Sequence, residues 1–151
     1  MITVDERALM FAAAAHGGQI DKGGNSYIWH PIRVALNFDH AELRAVALLH
    51  DVLEDTDATE DRLRDMFGDP ITDAVVALTK TPDQDYQDFI RQCADNFAAR
   101  MVKIADLTDN MDIDRLPRPI KESDILRLKK YANAVAYLKS DGLSINTEND
   151  Q

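Results

Sequence analysis

Residues 44–56 read RAVALLHDVLEDT, an apolar, helix-forming half followed by a half that carries His50, Asp51, Glu54 and Asp55. On a helix, successive residues stand about 100° apart, and residues three or four apart share a face. A single helix from about Ala41 to Asp55 therefore stacks Glu54 over both His50 and Asp51, and Asp55 over Asp51. One imidazole and three carboxylates then converge, and packed acids repel unless a cation or a proton sits among them. Val46, Ala47, Leu48, Leu49, Val52 and Leu53 flank the polar group on nearly every other side. A helix that is apolar around most of its circumference is buried, so these acids are expected to line an interior cleft. Two readings fit at this point. One is a metal or active site; the other is a structural polar cluster beside a helix C-terminus.

The surrounding chain is helical throughout. Residues 4–16 form a pattern with Asp5 and Glu6 in the first turn, where the helix dipole favours acids. Glycines at 17, 18, 23 and 24 make residues 17–27 a loop, with no P-loop spacing. Pro31 suits the first turn of a second helix, HPIRVALNF, with His30 at its edge. After the helix ending near Asp55 come a short amphipathic helix, EDRLRDMF, closed by Gly68, and a helix over ITDAVVALTK opened by Asp69-Pro70. One long helix is expected from about Tyr86 to Met111, with Phe89, Ile90, Cys93, Phe97, Met101, Ile104 and Met111 on its apolar side. Pro117 and Pro119 break the chain. A last helix from about Lys121 to Lys139 is expected to bury Ile125, Leu128, Tyr131, Ala132, Val135 and Leu138. No segment alternates with a period of two, which predicts an all-α, compact multi-helix bundle.

At 151 residues the chain is long enough for one domain with a real core. Residues 1–145 are expected to form that domain and 146–151 a frayed polar tail. The net charge of −10 argues against nucleic acid as the main partner, since such binders need a basic footprint. The single Cys93 excludes an internal disulfide and reads as a packed thiol. Neither a signal peptide nor a membrane span is evident, which predicts a cytoplasmic protein without membrane partners. The oligomeric state is not legible. Trp29 and Phe38 read as core.

A second polar anomaly lies at residues 102–111, VKIADLTDNM. Asp106 and Asn110 share a helix face, with Asp109 beside them and Ile104, Ala105, Leu107 and Met111 around them. A buried carboxylate must be paired. Lys103 is placed away from Asp106 on the helical wheel, so a cap on a neighbouring helix or a salt bridge to Lys22 is the structural alternative. Together His30, His50, Asp51 and Asp106 supply two imidazoles and two carboxylates. That mixed set suits Mn²⁺, with Fe²⁺ or Zn²⁺ as alternatives, better than the all-oxygen shells of Mg²⁺ or Ca²⁺. His40 reads as a surface turn residue and His16 as a structural residue ending the first helix.

The motifs HP at 30–31, HD at 50–51, EDT at 54–56 and KIAD at 103–106 resemble the HD-superfamily hydrolases. The longer strings AAAAHGGQ, YIWHPIRVA, ALLHDVLEDT, LTK and KIADLTDNM resemble more closely the hydrolase domain of RelA/SpoT proteins and the small alarmone hydrolases, over roughly residues 8–138. The resemblance implies an HD-domain bundle around a buried metal site. It implies that His30, His50, Asp51 and Asp106 hold Mn²⁺ and that Glu54 and Asp55 work on the attacking water and the leaving group. It also implies that Asn110 contacts the sugar side of a nucleotide substrate, with Lys22 near the nucleotide. The implied reaction removes the 3′-pyrophosphate of guanosine tetra- or pentaphosphate. With no synthetase region in the sequence, such a signal is expected to be degraded and not made.

Two departures bear on the substrate. Asp21 stands where the family has an arginine, and Leu107 and Asp109 stand where it has an arginine and a histidine. Losing cations near a polyphosphate weakens its binding. Three alternatives therefore accompany the guanosine reading. They are hydrolysis of an adenosine alarmone, hydrolysis of another nucleotide such as a nucleoside monophosphate, and a non-catalytic nucleotide-sensing module with a structural metal.

Overall fold

The computed structural model describes residues 1–148. Among them the ordered elements are helices: α1 (Val4–Ala15), α2 (Trp29–Ala35), α3 (Ala41–Leu49), α4 (Val52–Asp55), α5 (Glu60–Phe67), α6 (Asp69–Ala77), α7 (Tyr86–Ala94), α8 (Phe97–Asn110) and α9 (Glu122–Glu148). A 3-10 turn, Ile113–Arg115, follows α8. The all-α expectation holds. The only pairing of extended backbone among the described residues is an isolated bridge, Ile20 to Ser26, that pinches the loop after α1. Of the tail expected over 146–151, residues 149–151 lie outside the described residues.

α3 is the axis of the bundle. Five consecutive residues, Ala45 to Leu49, are buried, so the helix is covered on all sides, as its apolar circumference requires. α1 packs on it through Ala8 and Ala12, both with no exposure. Small side chains at a spacing of four let two backbones approach closely. α2 adds Val34 and Ala35, α6 adds Ile71, Ala74 and Val75, and α8 adds Ala99, Val102 and Leu107. α9 closes the core with Ala134 and Leu138.

Local chemistry sets the helix starts. Thr3 and Glu6 form a reciprocal capping box at α1. Thr59, Asp85 and Asn96 each accept a hydrogen bond from the first turn of the helix they precede. Asn96 corrects one expectation: the helix expected over Tyr86–Met111 is two helices. The Asn96 side chain takes the amide of Ala99 at 3.0 Å and starts α8 afresh. The change of direction leaves Phe97 72% exposed and Met101 at 36%, although the continuous pattern placed both on the apolar side.

Other expectations are corrected in detail. Trp29 is 55% exposed, because α2 turns it outward while His30, Pro31, Val34 and Ala35 point in. On α9, Ile125 and Ala132 are exposed and Ala134 is buried in their stead. Cys93 is buried as expected, and burial pushes its thiol up to about 12, which keeps it protonated and inert. His40 is exposed and His16 is buried behind α1, its Nδ1 donating to Gln19 Oε1 at 2.8 Å. No helix among the described residues is long and apolar enough to cross a membrane.

Candidate metal centre and substrate cavity

The helix expected from Ala41 to Asp55 is interrupted at the two residues that matter most. α3 ends at Leu49, α4 begins at Val52, and His50 and Asp51 form the turn between them. Asp51 sits in the bridge region at φ −107° and ψ 1°. On a regular helix adjacent side chains diverge. The break turns them toward one another, so His50 Nε2 lies 3.0 Å from Asp51 Oδ2.

His30 comes from the first turn of α2 and Asp106 from the middle of α8. His30 Nε2 is 2.8 Å from Asp106 Oδ1, and His50 Nε2 is 3.4 Å from the same oxygen. His30, His50 and Asp106 are all buried, and their potential ligand atoms lie within 4.8 Å of one another. Asp51, Glu54 and Asp55 make a second group of the same tightness. Asp51 belongs to it and also touches His50, so it joins the two groups. Stacking on one continuous helix would have put His50 with the acids and left His30 apart. Glu54 and Asp55 are exposed at the mouth, not enclosed in an interior cleft.

The chemistry of this donor set fits a divalent cation. His50 Nδ1 donates to Ala47 O at 2.6 Å, which leaves Nε2 as the ring's free lone pair. That atom is buried and makes no hydrogen bond of acceptable geometry. An orphaned polar atom in a dry interior is costly unless something fills its site. Burial lowers the affinity of the His50 and His30 rings for a proton, yet the charges and hydrogen bonds of the neighbouring acids outweigh it and raise both above the ordinary histidine value. The cluster is therefore a trap for positive charge, and a metal ion satisfies it as a proton does. Burial alone would raise Asp106, but the Lys103 ammonium and the two imidazoles hold it well below the usual carboxylate range.

Several neighbours of the site escaped the sequence reading. Lys103 is the direct partner of Asp106, its Nζ 2.9 Å from Oδ2, correcting its placement away from that residue. The two are three apart and share a face of α8, and the wheel projection understated the reach of a long flexible stem. The Tyr27 hydroxyl donates to Asp51 Oδ2. Burial and then the Asp51 charge push that phenol far up, so it remains a donor. Asp109 accepts from His30 Nδ1 at 2.7 Å. The Lys103 pair has a local i,i+3 spacing that could have announced it, whereas the Tyr27 and Asp109 contacts are long-range and have none.

A cavity of about 490 Å³ opens over the cluster. His30, Tyr27, Asp55 and Asn110 line it, together with the cations Lys22, Arg33, Arg115 and Arg127 and the acids Asp21, Asp109 and Asp112. Asn110 also donates to Asp106 Oδ1 at 3.2 Å, so it sits between cluster and cavity. Asp21 shapes the loop by accepting from the amides of Gly23 and Asn25, both at 2.9 Å. Leu107 is 1% exposed and belongs to the core. For Glu54, burial and then the nearby Asp51 and Asp55 charges raise the carboxyl above its usual value.

An HD domain is matched over residues 8–113, a span that contains every residue of both groups. The chain belongs to the HD-domain family. This HD domain is 35% identical, over 119 residues, to the guanosine-3′,5′-bis(diphosphate) 3′-pyrophosphohydrolase of Aquifex aeolicus, covering 70% of the chain and 17% of that protein. It is 34% identical to the bifunctional (p)ppGpp synthase/hydrolase SpoT of Escherichia coli K12, covering 80% of the chain and 19% of that protein. The chain thus spans about a fifth of the length of these relatives. A solved structure of a metazoan ortholog of SpoT, described as hydrolysing ppGpp and playing a role in starvation responses, superimposes with a TM-score of 0.73 at 25% identity, covering 89% of this chain and 84% of that one. HD domains imply a divalent metal, and the cluster here has the residues to hold one.

Proposed function

We propose that this HD domain is a metal-dependent pyrophosphohydrolase that removes the 3′-pyrophosphate of (p)ppGpp-like nucleotides. The observation that carries the reading is the pairing of an acidic, histidine-rich cluster with an adjoining cavity to which Lys22, Arg33, Arg115 and Arg127 contribute alongside four aspartates. The cluster suits a metal and those four cations suit phosphates. In this reading His30, His50, Asp51 and Asp106 hold the ion, and the mixed nitrogen and oxygen donors favour Mn²⁺, with Fe²⁺ or Zn²⁺ next. When bound, the ion supplies Lewis acidity toward a water and a phosphoryl oxygen.

The chain's own groups do the rest. Glu54, its carboxyl raised by burial and then by the Asp51 and Asp55 charges, is the group that exchanges a proton with the attacking water or the leaving group. Asp55, raised by burial and then by Asp51, orients that water or holds Glu54. Asn110 meets the sugar side and Lys22 lies near the nucleotide. A single hydrolase domain over residues 1–145 is part of the reading, supported by Ala134 and Leu138 of α9 in the shared core. Catalysis in the cytoplasm, without nucleic-acid or membrane partners, completes it.

Product analysis by anion-exchange chromatography tests the reading. The protein is incubated with Mn²⁺ and guanosine or adenosine 3′-pyrophosphate nucleotides, with Asp51→Ala as control. Metal-dependent release of pyrophosphate is the expected result. Release from the adenosine substrate alone would move the assignment to adenosine alarmones. Release from neither would turn the search to nucleoside monophosphates, and binding without any product would indicate a sensing module.

A further inference from the structure

Asp109 stands where the alarmone hydrolases it resembles carry a histidine. On charge alone, an acid there opposes an anionic substrate. The structure gives the acid a different part. Its Oδ2 accepts from His30 Nδ1 at 2.7 Å and from Arg33 Nη2 at 3.1 Å. Its Oδ1 accepts from Arg33 Nε at 2.9 Å and from Arg115 Nη2 at 2.8 Å. A carboxylate offers roughly four lone-pair sites, and all are taken by protein donors. Asp109 therefore has nothing left for a metal or a substrate.

Each of its partners leads somewhere. His30 presents its other nitrogen, Nε2, to Asp106 and the metal cluster. A ring held at Nδ1 by a carboxylate has its tautomer and its direction fixed. Arg33 and Arg115 both line the cavity and keep about a third of their side-chain surface exposed. Of a guanidinium's roughly five N–H donors, Arg33 uses two on Asp109. Arg115 is also paired with Asp112 of the same cavity, Nη1 to Oδ2 at 2.7 Å, so the two guanidiniums and two carboxylates balance in formal charge, and what they offer an anion is directed N–H donors and not a net cation.

We propose that Asp109 is a positioning residue with two attachments. It aims His30 at the metal, and it holds Arg33 and Arg115 at the cavity wall, where they receive anionic oxygens of the substrate. Metal ligand and anion site are thereby joined through one carboxylate. The inference rests on the metal-hydrolase reading above.

Two measurements on the full chain test it. Isothermal titration with Mn²⁺ alone compares the wild type with Asp109→Asn, Asp109→Glu and the double variant Arg33→Gln/Arg115→Gln. Asp109→Asn is expected to lose about 10- to 100-fold in Mn²⁺ affinity. Asp109→Glu recovers part of that loss, and the arginine variant stays within about threefold of the wild type. Steady-state kinetics at saturating Mn²⁺ on guanosine 3′,5′-bis(diphosphate) then separates the anion site. The arginine variant is expected to raise KM about tenfold or more, with kcat little changed and a shallower dependence of KM on salt. Wild-type Mn²⁺ affinity in a folded Asp109→Asn protein would overturn the inference and leave the metal-hydrolase reading standing. So would an unchanged KM in the arginine variant. A wild-type protein that binds no Mn²⁺ would overturn both.

Discussion

Nε2 of His30 on α2 lies 2.8 Å from Oδ1 of Asp106 on α8, across 76 positions of sequence. His50 reaches to within 3.4 Å of the same oxygen from the turn that ends α3. Three elements thus deliver one donor each to a common point, so no member is replaceable by its neighbours. His50→Ala and Asp51→Ala are each expected to abolish Mn²⁺ binding by calorimetry and turnover together. Hydrolysis retained in a metal-free Asp51→Ala protein would sink the mechanism.

The Lys103–Asp106 pair makes a prediction about stability. Both side chains are nearly buried, at 13% and 5% exposure, and their charged atoms are 2.9 Å apart. Removing the carboxylate strands an ammonium in the interior. Asp106→Ala is expected to destabilise the metal-free protein by about 3–5 kcal/mol in chemical denaturation. Asp106→Ala/Lys103→Met should recover most of that loss while still failing to bind Mn²⁺. An Asp106→Ala protein as stable as the wild type would show the pair to be solvated.

Glu54 separates binding from chemistry. It belongs to the exposed acidic group and not to the buried triad. Glu54→Ala is expected to keep Mn²⁺ affinity within a few-fold and to lower kcat by about 10²–10⁴. A parallel loss of metal would make Glu54 a ligand instead.

Metal affinity should climb with pH. The acids around His30 and His50 raise both rings above the ordinary histidine value in the metal-free protein. Below those raised values protons occupy the ring nitrogens and compete with the ion, and above them the nitrogens are free. Titrations at pH 6, 7 and 8, in buffers of different ionisation enthalpy, should show tighter binding and less proton release as pH rises. Affinity that falls with pH would remove the imidazoles from the ligand set.

Tyr27 is a smaller test of the same centre. Its hydroxyl donates to the Asp51 oxygen that also faces His50. Tyr27→Phe keeps the ring packing and removes that donor, and it is expected to weaken Mn²⁺ binding about tenfold. Unchanged affinity would mean that the α3–α4 turn alone orients Asp51.

The sequence by itself determined the fold class and the cast of the cluster. Apolar periodicity requires helices, and the apolar circumference of Ala45–Leu49 requires that α3 be the axis of the bundle. His50, Asp51 and Asp106 stood out because polar groups in apolar runs demand a partner. These are local properties, carried by residues within a turn or two of each other. Helix breaks were less legible. Asn96 and the His50–Asp51 turn interrupt patterns that remain periodic across them, because a side-chain cap or a single residue in the bridge region changes direction without changing composition. Tertiary structure alone decided the rest. It set Asp109 between His30 and two arginines, and Tyr27 against Asp51. Those contacts join positions as far as 79 residues apart, and they depend on how α2, α3 and α8 pack, which no local spacing encodes.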